Sequence, residues 1–323
     1  MESEARPSRG IIHPDQASKS SGVEPTGEEF GDENPAKRNP PSIISSMIPL
    51  LEEIVARKRV EVAKAKEITA LDILKERVAE RGRPRNFFTA VVPERNRLAT
   101  RIIAEVKRKS PSAGVIRDDF DPAAIATQYA EAGAAAISCL TDEHYFGGHL
   151  GYIQQIRSVV ELPVLRKDFL VDSYQLWESR AAGADAVLLM AEVLPEGQLL
   201  DMMILAKDLG MTTLVEVHQV ETLLRVMPHI GFPHAGYSLL GINNRDLTTM
   251  QTDLNHTFRL VEMIEDTRVL VSESGIQTHD DLIRLQKHGV QIALVGEHLM
   301  KQSNPGDALR ELLGRDENIE HAG

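Results

Sequence analysis

The chain has one cysteine and one tryptophan in 323 residues, and aromatic side chains make up only 4% of it. A lone cysteine excludes an internal disulfide and suits a reducing, cytoplasmic compartment. Cys139 sits inside an apolar run, where buried filler is the expected role rather than nucleophile. No apolar run reaches membrane-spanning length, so no membrane partner is expected. Basic residues are in deficit, 36 against 48 acidic, for a formal net charge of -12. That balance leaves no basic face to track phosphates and argues against nucleic-acid binding. What remains is 42% hydrophobic residues, mostly aliphatic, in a chain long enough for one large core.

The ends differ from the middle. Met1 to Pro41 holds six prolines, many polar and acidic residues and few large apolar ones. It cannot bury enough surface to offset its ordering entropy, so residues 1–41 are expected to be a disordered tail. It lacks the apolar centre of a signal peptide and is too acidic for a transit peptide. From Ile48 to about Arg81 a helical pattern follows, carried by Leu50, Leu51, Ile54, Val55, Val62, Ile68, Leu71 and Leu74. This segment is expected to cover the bottom of the domain that follows it. Residues 315–323 read as a short frayed tail, which leaves 42–314 as the globular unit.

Eight short apolar runs occupy that unit, each ending in polar or charged residues. Arg101 to Val106 ends in Lys107, and Ala135 to Leu140 in Thr141-Asp142. Pro163 to Arg166 ends in Lys167-Asp168, and Ala186 to Met190 in Ala191-Glu192. Thr212 to Val215 is followed by Glu216-Val217-His218, and Leu239 to Ile242 by Asn243-Asn244-Arg245-Asp246. Val269 to Val271 leads to Ser272-Glu273-Ser274-Gly275, and Gln291 to Val295 to Gly296-Glu297. Runs rich in Val, Ile and Leu suit strands buried on both faces.

Helical patterns fill the gaps. Asp121-Pro122 opens one helix as N-cap and first turn, and Gly133 ends it. Asp172 opens another that ends at Gly183, and Thr278 caps one that ends at Gly289. Gly210 precedes the fifth strand. Glycine past a helix fits a left-handed C-terminal cap. Eight such βα units suit an α/β fold of the closed (β/α)8 TIM-barrel type with an extra N-terminal helical segment. An open doubly wound sheet is the alternative, but no G-x-G-x-x-G follows the first strand.

In a barrel the catalytic groups stand at the C-terminal ends of the strands. One pocket can then collect Glu105, Lys107, Lys167, Glu216, Asn243, Arg245 and Glu273. Strand alternation puts Glu105 and Lys107 on one side, where a plain structural ion pair is the simpler explanation of those two alone. Three acids and three bases together are poor packing material and good equipment for proton transfer. Barrels often hold a phosphate between the loops after strands seven and eight. Here Ser274-Gly275 and Gly296-Glu297 occupy those loops, and both glycines allow close backbone approach. Lys109 and Ser110, after strand one, are expected to close over the same phosphate. Each glycine alone is equally well a structural turn.

The segments IIAEVKRKSPSAG, ISCLTDEHYFGG, LPVLRKDFLVD, TTLVEVH, LGINNRDL, VSESGI and LVGEHLM occur in this order between about Leu50 and Leu313. In them the chain resembles the indole-3-glycerol phosphate synthases of tryptophan biosynthesis. The resemblance implies a carboxy-lyase without cofactor, acting on a small phosphorylated substrate, as a monomer or weak oligomer. It implies ring closure of 1-(2-carboxyphenylamino)-1-deoxyribulose 5-phosphate to indole-3-glycerol phosphate, carbon dioxide and water. It also implies that the N-terminal helical segment belongs to the substrate site.

Against that chemistry, Lys167 is the candidate acid for the ketone oxygen, its pKa expected to be lowered by Lys107 or Arg245. Lys107 is the candidate partner of the substrate carboxylate. Glu216 and Glu105 are the available bases, and the resemblance favours Glu216. Which lysine serves the dehydration stays open. Asn243 and Arg245 resemble residues that hold the substrate or the acidic side chains. Phe146, Phe169 and Leu170 are candidate walls for the aromatic ring, although core packing explains them as well.

His149 stands after Phe146-Gly147-Gly148 where the family often has a small hydroxyl residue. His144, His149 and His218 lack the tight spacing of a metal motif, so no metal is expected. Trp177 reads as a packing residue. The chain ends soon after the eighth unit, which leaves no fused isomerase barrel of the kind some relatives carry. A phosphoribosylanthranilate isomerase or a non-catalytic phospholigand-binding barrel is the competing reading. The first would not carry KRKSPS, RKDF and GINNRDL together, and the second would have lost one of Glu105, Lys107, Lys167 and Glu216.

Overall fold

The computed structural model describes residues 49–93 and 99–315. The expected tail 1–41, the start of the helical pattern at Ile48 and residues 316–323 lie outside them. Eight parallel strands close into a barrel. In order they are Arg101–Val106, Ala136–Leu140, Val164–Lys167, Ala186–Met190, Thr212–Val217, Ser238–Asn243, Leu270–Glu273 and Ile292–Val295. The first pairs with the eighth through Arg101 and Ile292, and with the second through Ile103 and Ala136. That double pairing closes the sheet and removes the open-sheet alternative. Helices outside and neighbouring strands inside bury both faces, which is why Ala136–Leu140 and Ala186–Met190 are buried throughout.

The caps read from sequence stand where expected. Asp121 accepts hydrogen bonds from the backbone N–H groups of Ala123 and Ala124 at 2.9 and 3.1 Å. Thr278 and Asp281 form a reciprocal capping box. Gly133, Gly183, Gly210 and Gly289 all take positive φ, between 76° and 102°. One boundary differs. The helix after strand three is Tyr174–Ala182, and Asp172 accepts from the Tyr174 N–H at 2.8 Å without being the N-cap itself.

The N-terminal segment forms three helices, α1 (Pro49–Ile68), α2 (Leu71–Glu80) and α3 (Phe87–Val91). The expectation that the segment from Ile48 to Arg81 covers the bottom is corrected. Leu50, Leu51 and Ile54 of α1 line a cavity at the C-terminal ends of the strands. The physical reason is Lys58, which sits on the buried stripe of α1 and finds its acidic partners in Asp142 and Asp168, just past strands two and three. Helix α2 packs Leu74 against Tyr174 and Trp177 in a small separate cluster. The bottom is closed by the residues that follow. Phe87 and Val91 are fully buried, and the Arg85 N–H donates to Asp185 Oδ1 at 2.8 Å at the start of strand four.

Candidate active site

A cavity of about 330 Å³ opens where the strands end. Strand one contributes Glu105 and Lys107, strand three Lys167 and Phe169, strand five Glu216 and strand six Asn243 and Arg245. Strands seven and eight add Glu273, Ser274, Gly275, Gly296 and Glu297, while Ser110 and Phe146 come from the first and second loops. Lys109 is not in the cavity wall. Its Nζ donates to the His144 carbonyl at 2.6 Å, because the turn at Ser110 to Gly114 carries it over the second loop. Of the two residues expected to close over a phosphate, Ser110 lines the cavity and Lys109 stands outside its wall.

The charges are arranged in pairs. Lys107 Nζ lies 2.7 Å from Glu105 Oε1. Lys167 Nζ donates to Glu216 Oε2 at 2.9 Å and stands 3.4 Å from Glu273 Oε2. Asn243 Nδ2 donates to Glu216 Oε1 at 3.1 Å. Arg245 pairs with Glu297 at 2.8 Å, and Glu297 also takes Lys301 at 2.7 Å. The Glu297 carboxylate is thus occupied by cations, so only the backbone at this position suits an anion. Ser274 and Gly275 are consecutive left-handed residues, with φ of 66° and 80°.

The lysine expectation needs correction as well. Burial alone would lower the Lys167 pKa, but Glu216, Glu273 and Glu105 outweigh it and hold the ammonium well above its ordinary value. Lys107 and Arg245 do not depress it, because each is neutralised by its own carboxylate. Burial would raise Glu216, yet Lys167 and then His218 bring it below the ordinary carboxylate range. Burial and then repulsion from Glu216 push Glu273 well above that range. The two neighbouring carboxyls are thereby driven apart, one ionised and one inclined to keep its proton.

Two positions, Gly241 within strand six and Gly296 just past strand eight, must be glycine for this arrangement to fit. A Cβ at Gly241 would lie 2.2 Å from Glu273 Oε1, and one at Gly296 would lie 2.3 Å from Glu105 Oε1. Phe146 and Phe169 face each other with ring centroids 6.1 Å apart on the cavity wall, whereas Leu170 is buried in the core. His218 stands between Glu192 and Glu216, 3.4 Å from a carboxylate oxygen of each. Among the described residues no group of three or more His, Cys, Asp or Glu is arranged to hold a metal ion. Cys139 is fully buried, and burial pushes its thiol pKa up, away from nucleophile chemistry.

Sequence reasoning missed Lys58, Gly241 and the cavity role of Ser112, whose Oγ accepts from Arg245 at 3.3 Å. For Lys58 a signal was present: it lies four residues after Ile54 and four before Val62, on an otherwise apolar stripe. For Gly241 there was none, since the atom that excludes a side chain belongs to another strand.

Residues 51–312 match the family model for indole-3-glycerol phosphate synthase. The indole-3-glycerol phosphate synthase of Albidiferax ferrireducens is 45% identical over 82% of this chain and 98% of its own length. That of Rhodopirellula baltica is 52% identical over 66% of this chain and 80% of its own. Among solved structures, 3-hexulose-6-phosphate synthase from Salmonella typhimurium superposes with a TM-score of 0.53 at 14% identity. That match covers 67% of this chain and 97% of the other, and at such identity it speaks to the barrel alone. With a family match across nearly the whole described barrel and relatives aligned almost end to end, the chain belongs to the indole-3-glycerol phosphate synthase family.

Proposed function

We propose that this cavity closes the indole ring with Lys167 as general acid and Glu216 as general base. The substrate is 1-(2-carboxyphenylamino)-1-deoxyribulose 5-phosphate. Its ketone carbon takes a bond from the ring carbon that bears the carboxylate, and the ketone oxygen takes a proton from Lys167. The carboxylate, held until then by Lys107, leaves as carbon dioxide. The new hydroxyl then takes a second proton from the Lys107–Lys167 pair and leaves as water, while the methylene carbon beside the nitrogen gives a proton to Glu216, which completes the aromatic indole. The products are indole-3-glycerol phosphate, carbon dioxide and water.

The observation that carries this reading is the Lys167 ammonium set between Glu216 and Glu273. Its raised pKa keeps it protonated across the neutral range. A weak acid of this kind gives up its proton to a developing alkoxide, which is a far stronger base than the ketone. Glu216, kept ionised, is ready to accept a proton. Asn243 orients that carboxylate, and Arg245 with Glu297 stiffens the rim. Backbone groups at Ser274-Gly275 and Gly296, with Ser110 opposite, are the proposed phosphate cradle, and Phe146 and Phe169 the ring walls. We take 42–314 as the catalytic unit.

The test mixes the purified chain with substrate and follows indole fluorescence. Lys167→Met should retain product binding while turnover falls by about 10²–10⁴-fold, the usual share of a general acid. Turnover within a few-fold of the parent would remove Lys167 from that role.

A further inference from the structure

The barrel's own strands supply every ionisable group of the proposed reaction, yet one wall of the cavity comes from outside the barrel. Leu50, Leu51 and Ile54 of α1 stand on it. A helix that lies on the surface of a barrel needs something to fix its place. On α1 the buried residues Leu51, Ile54, Val55 and Val62 form an apolar stripe, and Lys58 interrupts it. A lysine is almost never buried without partners.

Lys58 is 5% exposed and has three partners. Its Nζ lies 2.8 Å from Glu61 on its own helix, 2.9 Å from Asp142 Oδ2 and 3.0 Å from Asp168 Oδ1. The two aspartates belong to different loops, and each is tied to the site. Through its other oxygen, Asp142 accepts from the N–H groups of Tyr145 and Phe146, at 2.7 and 3.2 Å, and so starts the short helix that carries Phe146. Asp168 follows Lys167 directly. It also accepts from Thr141 Oγ1 at 2.6 Å, from Arg166 Nη2 at 3.0 Å and from the Phe169 N–H at 2.8 Å. Other polar links of α1 to the loops are more exposed, namely Glu53 to Tyr145 and Lys66 to Asp172.

We propose that Lys58 is a positioning residue for the reaction, a buried clamp that seats α1 over the strand ends and fixes the loop bearing Phe146 and the end of strand three, where Lys167 stands and Phe169 follows. A surface ion pair is screened and contributes little, but a buried, triply paired ammonium has one favoured place. Removing it leaves the buried Asp142 without a cation, takes from Asp168 one of its two, Arg166 being the other, and frees the helix that closes one side of the cavity. The inference rests on the cavity being the substrate site. It does not depend on which group is the acid.

The experiment uses the full chain. Lys58→Met is expected to raise KM for the carboxyphenylamino-deoxyribulose phosphate at least tenfold, with a smaller fall in kcat. Tryptic cleavage after Arg57 or Arg59, read by mass spectrometry under native conditions, should speed up at least tenfold. Lys58→Arg, which keeps the charge, should restore KM to within threefold. Asp142→Asn keeps the oxygen that caps the short helix and removes one carboxylate charge, so it should show a milder rise in KM. The double variant should be no worse than Lys58→Met, because both act through one contact. If Lys58→Met does not fold, Asp142→Asn carries the same comparison.

A lower thermal midpoint with KM within twofold of the parent would reduce Lys58 to a purely structural role and overturn the proposal. An inactive parent chain, or Lys167→Met with normal turnover, would instead overturn the assignment of the site or its acid.

Discussion

Replacing Gly241 with alanine tests whether the Glu273 carboxylate must stay where it is. Gly241 lies in strand six, paired with Glu216 on one side and Val271 on the other. A methyl group there would stand 2.2 Å from Glu273 Oε1 and 3.2 Å from Leu214 Cδ1. Real Cβ atoms essentially never come within 3.0 Å of a neighbour, so the carboxylate must retreat by at least about 0.8 Å. The obstructing atom is the far end of a side chain, so the strand itself need not move. The stability loss then belongs at the low end of overpacking, about 1 kcal/mol. Activity should fall much further. Glu273 flanks Lys167 at 3.4 Å, and a misplacement of about 1 Å in a reacting constellation costs on the order of 100-fold. That corresponds to about 2.7 kcal/mol in the barrier. The assay is steady-state indole fluorescence, beside a thermal melt of the same sample. A folded Gly241→Ala enzyme with kcat within threefold of the parent would refute the claim that this glycine exists to seat Glu273.

Acid stability should report on Asp168. Burial raises its pKa, but Arg166, Lys58 and Thr141 outweigh that, so the folded value lies below the unfolded one. Its contribution is therefore complete above the ordinary value of 3.8 and lost as pH falls from there through the folded value. The gap in thermal midpoint between the parent and Asp168→Asn should shrink between pH 5 and pH 2, and a constant gap would deny the linkage. At the other end of the barrel, Phe87→Ala should cost about 3–5 kcal/mol of unfolding free energy, because the ring is fully buried against the strand beginnings. Denaturant melts would show that loss, while KM should hold at a temperature where the variant is folded. A Phe87→Ala protein as stable as the parent would mean that α3 does not close the bottom.

Legibility in the sequence differs from element to element. Strands and caps are readable because their causes are local. Alternation of burial, a side chain that accepts from the N–H groups two and three residues on, and glycine in a left-handed turn all act within a few positions. Asp121, Thr278 and Gly133 need no tertiary context. The site residues are readable because a barrel delivers every strand end to one face, so a charge after each apolar run has one destination. Lys109 fails that rule because a two-residue ladder with Gly114–Val115 turns its chain aside.

The sequence alone determined the eightfold unit, the face that carries the chemistry and the identity of the acid, base and ring-wall candidates. The unit and the face follow from residue type and spacing, and the preference for Glu216 over Glu105 as base from the family resemblance. Tertiary structure alone decided the electrostatics. Neighbouring cations in the sequence point to a depressed Lys167, which is instead raised by three carboxylates from strands one, five and seven. It also decided that α1 lies over the mouth and α3 under the floor, and that Gly241 makes room for Glu273. Charge pairing and excluded volume depend on distance in space, and residues more than a hundred positions apart in the chain are brought within 3 to 4 Å only when the barrel closes.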